Sequence, residues 1–211
     1  RKCTIHKKDL ACWVFFFAQI YKILYFFNLI NYMNLMLDII LDTFINSLIP
    51  ETIKSVKHGN KIFGAFVLSK NNFSKFCIGT NNETLNPLYH GEISAIFNFF
   101  NKKNLHPKNY IFVSSHEPCS MCLSAITWAG FNNFYYFFPY QDTKLTFKIP
   151  HDLKILNEVF DIKNGQYNTS NSYWKSYSIL NEIDSLDDNI DKKELLLKSQ
   201  KIKVSYDKLS I

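Results

Sequence analysis

The stretch from His90 to Cys122 constrains this 211-residue chain more than any other. It opens with His90-Gly91-Glu92 and closes with Pro118-Cys119-Ser120-Met121-Cys122. Cysteines three apart bring both sulfurs to one face of a single helical turn. A histidine adds a nitrogen, and two thiolates plus an imidazole suit Zn²⁺. Three protein ligands leave the fourth tetrahedral position to water, the arrangement of a catalytic zinc rather than a structural one. Glu92 adds a carboxylate that can take a proton from water beside the metal and pass it to a leaving group. A structural zinc needs a fourth ligand, for which the sequence offers His116 or Cys77, but such a site has no use for Glu92.

The surrounding pattern alternates strands and helices. Leu37, Ile40, Leu41, Phe44, Ile45 and Leu48 recur at helical spacing and predict a first helix that stops before Pro50. A short helix over 51–57 and a turn at His58-Gly59-Asn60 follow. Residues 63–68 and 73–78 read as a hairpin, and 79–89 as a loop. A helix starting at Glu92 carries Ile93, Ile96, Phe97 and Phe100 on one face, expected to pack in the core. Strands are expected at 110–114 and 133–138, with a helix over 119–129 between them and Trp128 on its core side. Leu153, Leu156, Val159 and Phe160 predict a later helix. Such alternation predicts an α/β fold, a three-layer α/β/α sandwich with a mixed sheet. Both ligand clusters then stand at helix N-termini, where the dipole favours thiolates. Residues 33–180 form the expected domain, and the charged segment 181–211 the expected solvated helix and tail.

Composition narrows the class of function. The formal charge is +6, but residues 33–211 hold 19 lysines, 17 acids and no arginine. A domain so nearly balanced is poorly made for gripping nucleic-acid phosphates. Five cysteines are an odd number, and Cys3, Cys12 and Cys77 suggest no disulfide framework. A reducing, cytoplasmic setting is therefore expected. Residues 1–32 differ from the rest: Arg1, Lys2, Lys7 and Lys8 precede an apolar run over 10–30. That pattern is similar to a signal anchor or membrane helix, although Gln19, Lys22 and Asn28 interrupt it. Because the chain begins without methionine and Met33 and Met36 stand just before the domain, an over-extended reading frame is the first alternative to be expected, and an extra packed helix a third.

His-x-Glu followed by Pro-Cys-x-x-Cys resembles the signature of the zinc-dependent cytidine/deoxycytidylate deaminase superfamily. The resemblance extends to Gly79-Thr80-Asn81, Asn86-Pro87, Glu117 and Ser124-Ala125-Ile126, roughly from Ile62 to Tyr140. It implies one zinc on His90, Cys119 and Cys122, with Glu92 as the proton-transfer group. It implies hydrolytic replacement of the exocyclic amino group of a nucleobase or nucleoside by a carbonyl, with release of ammonia. The run Cys122 to Ala129 resembles bacterial-type guanine deaminases, and His90-Gly91-Glu92-Ile93-Ser94 resembles fungal-type cytosine deaminase. Asn81, or else Asn82, is similar to the family's substrate-binding asparagine. Asp152 and the aromatic segment 173–177 are similar in position to further guanine-deaminase groups. The resemblance also implies a homodimer. A tRNA-specific adenosine deaminase is the alternative, disfavoured by the balanced charge. A non-catalytic zinc-binding interaction domain is a second alternative.

Overall fold

The structure, a computed structural model, describes residues 30–209. The chain divides into two units, residues 1–36 and 37–211. Of the first, only a helical stretch over 30–36 is described, so the expectations for residues 1–29 lie outside the described residues. The second unit contains every motif named above.

This unit opens on helical residues 37–43, a π-turn at Phe44–Leu48 and helix α1 (Ile49–Lys57). The expected break before Pro50 does not occur. In the π-turn the Ile49 N–H reaches back to the Phe44 carbonyl, one residue further than in an α-helix. The ladder therefore shifts register beside the residue that cannot donate, and Pro50 sits in the first turn of α1, where it is tolerated. Helix Ile30–Lys57 is long and apolar enough to cross a membrane. Within the second unit its Leu37, Ile40, Leu41, Phe44 and Leu48 are core residues.

Then follow β1 (Gly64–Ser69), β2 (Lys75–Thr80), α2 (Gly91–Phe100), β3 (Tyr110–His116), α3 (Ser120–Ala129), β4 (Asn133–Phe138), α4 (Tyr140–Leu145), α5 (His151–Phe160), β5 (Lys175–Ser178), α6 (Ile179–Asp184) and α7 (Ile190–Asp207). The five strands form one sheet in the order β2-β1-β3-β4-β5. Strand β1 pairs antiparallel with β2 and β3, while β3-β4 and β4-β5 are parallel, so the sheet is mixed as expected.

Strand alternation builds a layer on each face of the sheet. Ala65, Val67, Phe112 and Phe134 point towards α2 and α3 and join Ala95, Phe99, Leu123 and Ile126 in one core cluster. Phe66 points the other way and meets Phe44, which also packs on Phe137. The expected solvated C-terminal helix is solvated on one side only. In α7, Leu195, Ile202 and Tyr206 are buried, and the Tyr206 ring packs on His116 and Phe138.

The expected core face of α2 is rotated. Glu92, Ala95 and Phe99 are buried, whereas Phe97 and Phe100 are exposed. The cause is the tight seat of the first turn. A Cβ at Gly91 would collide with the Gly64 backbone of β1, and one at Gly79 of β2 with the α2 backbone at Ala95. Backbone contact on that side swings the aromatics outward. Trp128 is likewise not in the core: it is 90% exposed on the outer side of α3.

Candidate active site

The two N-caps beneath the sheet's helix layer carry the chemistry. His90 caps α2 and Cys119 caps α3, both with extended backbone and neither using its side chain to cap its own helix. Their side chains are left free to turn towards each other. The Cys119 and Cys122 sulfurs lie 3.6 and 3.7 Å from Nδ1 of His90. All three ligand atoms fall within 4.8 Å of one another. A tetrahedral ion with Zn–S of ~2.3 Å and Zn–N of ~2.0 Å separates its sulfur and nitrogen ligands by roughly 3.6 Å. The donor set therefore fits zinc in chemistry and in spacing, and identifies Nδ1 as the histidine ligand atom. Bound there, zinc acts as a Lewis acid and lowers the pKa of water at its open position.

The metal-free electrostatics suit a cation. Cys119 is held well below the ordinary thiol range, chiefly by the hydrogen bond from the Cys122 thiol and further by His90. Cys122 keeps the shared proton and is pushed up. As a zinc ligand Cys122 would give up that proton, because coordinating thiols are deprotonated outright.

Glu92 stands on the inner side of the first turn of α2, 4% exposed. Its Oε1 accepts the Ser114 hydroxyl of β3 at 2.7 Å, and its Oε2 lies 3.4 Å from Cys122 Sγ. Burial, then the negative Cys119, push its carboxyl up to about 7, with the Ser114 hydrogen bond opposing them. A carboxyl in that range can both take and give a proton near neutrality.

The loop from Pro118 is anchored by Glu117. Its N–H donates to the Phe138 carbonyl at 2.8 Å, and its Oε2 accepts the Tyr140 N–H at 2.9 Å. The Tyr140 hydroxyl donates to the Pro118 carbonyl. The end of β4 and the start of α4 thus hold the turn that presents Cys119.

Asn81 is buried at the end of β2, 1% exposed, with its Oδ1 accepting the Gly91 N–H at 2.6 Å. Asn82, its alternative, is exposed and lines, with Asn81 itself, His58, Tyr89 and Asn98, a cleft of about 900 Å³. Asp152, in the first turn of α5, interacts electrostatically with Cys119 and His90. Burial and then Cys119 push its carboxyl up to about 6.

The fourth ligands that a structural zinc would need are elsewhere. Cys77 donates its thiol to the Ala95 carbonyl at 3.5 Å. His116 is enclosed by the rings of Phe63, Phe138, Phe147 and Tyr206. Among the described residues only His90, Cys119 and Cys122 form a cluster able to hold a metal. In the aromatic segment, Trp174 packs on Phe134 and donates from Nε1 to Thr127, whereas Tyr173 is exposed.

Sequence reasoning missed Ser114 and Glu83, which donates nothing but accepts from Asn81 (below). Ser114 had a faint signal, a hydroxyl at an inward position of an otherwise apolar strand. Glu83 had none, since its role depends on how the loop over 79–89 folds back.

Residues 41–138 match the family model described as the cytidine and deoxycytidylate deaminase zinc-binding region. That span, just under half of the chain, carries the family's zinc-binding region. The match supports a hydrolytic deaminase, with His90, Cys119 and Cys122 as the cluster able to hold its zinc. Among solved structures, guanine deaminase from Bacillus subtilis is 24% identical, with 62% of this chain and 85% of that one covered and a TM-score of 0.47. Guanine deaminase from Nitrosomonas europaea is 14% identical, with 75% and 82% covered and a TM-score of 0.46. A tRNA:A34 deaminase structure is 18% identical, with 65% and 97% covered and a TM-score of 0.44. No curated protein sequence matches the chain.

Proposed function

We propose that this deaminase acts on a free amino-substituted nucleobase, with guanine as the preferred substrate. The observation that carries this reading is the second carboxyl, Asp152 in the first turn of α5, which is buried and feels the charges of Cys119 and His90. A carboxylate there accepts hydrogen bonds from amino and ring N–H groups. Guanine offers both side by side, as a planar fork that matches two carboxylate oxygens. Adenine has no ring N–H on its amino-bearing edge, and cytosine has a ring acceptor there.

In this reading Glu92 accepts a proton from the attacking water as oxygen adds to the amino-bearing carbon. The same carboxyl delivers that proton to the adjacent ring nitrogen. A second transfer through Glu92 protonates the departing amine, so that water plus the amino base becomes a carbonyl plus ammonia. Ser114 keeps Oε1 of Glu92 fixed during these transfers. Asn81 supplies a hydrogen bond to the base from the opposite side.

Ammonia release from guanine, cytosine, adenine, their nucleosides, dCMP and an anticodon stem-loop tests the proposal. Guanine should be the fastest of the panel, and Asp152→Asn should slow it while leaving zinc in place. Turnover confined to the stem-loop, or indifference to Asp152→Asn, would remove the reading.

A further inference from the structure

Glu83 lies in the loop between β2 and α2, with its side chain only 16% exposed. It is not among the metal-binding cluster. Its Oε2 accepts the Asn81 Nδ2 hydrogen at 2.5 Å, while Oε1 lies 3.4 Å from Lys61 Nζ. Asn81 is then committed at both ends, since its Oδ1 accepts the Gly91 N–H. Its backbone is fixed as well: the N–H donates to the Phe63 carbonyl at 3.0 Å, and the carbonyl accepts the Ser55 hydroxyl.

The donor and acceptor inventory decides which way the amide lies. A carboxylate only accepts and a backbone N–H only donates. Nδ2 must therefore face Glu83 and Oδ1 must face Gly91. A flipped amide would set oxygen against carboxylate and N–H against N–H, both buried and unsatisfied.

We propose that Glu83 is a positioning residue. It locks the Asn81 amide in one orientation, and the locked amide holds Gly91 and with it the adjoining zinc ligand His90. The second Nδ2 hydrogen is then the donor that the amide has left to offer, which rests on the reading of Asn81 given above. Groups that hold a ligand's backbone are as much part of a metal site as the ligand itself, and losing them typically weakens binding roughly 10–100-fold.

Zinc affinity, measured by chelator competition on the full chain, reads this relay without any substrate. Glu83→Ala and Asn81→Ala should each weaken zinc by roughly tenfold or more. The double variant should be no weaker than Asn81→Ala alone, because both act through one contact. Glu83→Gln keeps an acceptor oxygen for Nδ2 and should restore most of the affinity. Glu83→Asp keeps the charge but withdraws it by one methylene, so it should behave like Glu83→Ala, and it serves where the alanine variant does not fold. Lys61→Ala should have the smaller effect.

Wild-type zinc affinity in Glu83→Ala and Glu83→Asp would overturn the proposal. So would Glu83→Gln as weak as Glu83→Ala, a full loss in Lys61→Ala, or additive losses in the double variant. Failure of the substrate reading looks different. Zinc would follow this pattern while no base in the panel released ammonia.

Discussion

At the scale of single residues, Ser114 and His116 show how one strand serves two ends. Glu92 is buried against Cys122 and receives the Ser114 hydroxyl. Glu92→Gln preserves volume and hydrogen bonding but cannot accept a proton. It should keep zinc and melting temperature yet lose roughly 10²–10⁴-fold in turnover. Zinc content, melting and ammonia release on one sample check this, and wild-type turnover in a folded, zinc-loaded variant would reject the role. Ser114→Ala should lower kcat by about tenfold or more with zinc content unchanged, since it frees the carboxylate without touching a ligand. An equal loss of zinc would show a structural role instead.

Two positions beyond Ser114, His116 is 2% exposed and its Nε2 has no hydrogen-bond partner, while Nδ1 meets Ser115 Oγ at 2.9 Å. Burial lowers its pKa from 6.5 to about 3. A depressed base binds its proton more readily unfolded than folded. Stability from this group is therefore complete above about pH 6.5 and drains away as pH falls towards 3, by at most roughly 1.4 kcal/mol per unit. Urea titrations across that range should show a slope that His116→Phe reduces. An unchanged slope would place the acid sensitivity elsewhere.

At the scale of elements, the sequence was readable where local chemistry dominates. Residues 133–138 and the two ligand-bearing helix starts fall where spacing predicts. It was unreadable where a neighbour decides. The rotation of α2 follows from backbone contact between Gly91 and Gly64, which no helical periodicity encodes. Trp128 looked like a core residue because the apolar positions of α3 nearly encircle it, and only the placement of the sheet shows which side is outward. Strand β5 went unseen because Lys175–Ser178 is short and largely polar, and it exists by pairing with β4. The burial of α7 was hidden by its charge, since only Leu195, Ser199, Ile202 and Tyr206 turn inward. Its last turn matters nonetheless: Tyr206→Ala should cost about 3 kcal/mol, as other buried aromatic truncations do. A variant as stable as wild type in denaturant titration would mean that the helix docks without contributing stability.

At the scale of the whole molecule, the near balance of lysines and acids from residue 33 onward sets what the protein attracts. Binding to tRNA should be weak at physiological salt and no tighter than to unrelated RNA of the same length. Filter binding over a salt series checks this, and a steep salt dependence with a preference for tRNA would reverse the ranking of substrates. A chain starting at Met33 should fold and retain activity, because the unit from residue 37 holds every site residue. Insolubility of that shortened chain beside a soluble full-length one would make the preceding residues part of the core.

The contrast between Trp128, open to water, and Trp174, 8% exposed against Phe134, has an optical consequence. In the chain starting at Met33 these are the two tryptophans that remain. Their fluorescence should divide into a red-shifted fraction that acrylamide quenches freely and a blue-shifted fraction that it scarcely reaches. Any event that covers the outer side of α3 will then convert the first fraction towards the second. The protein thus carries its own dye for that surface.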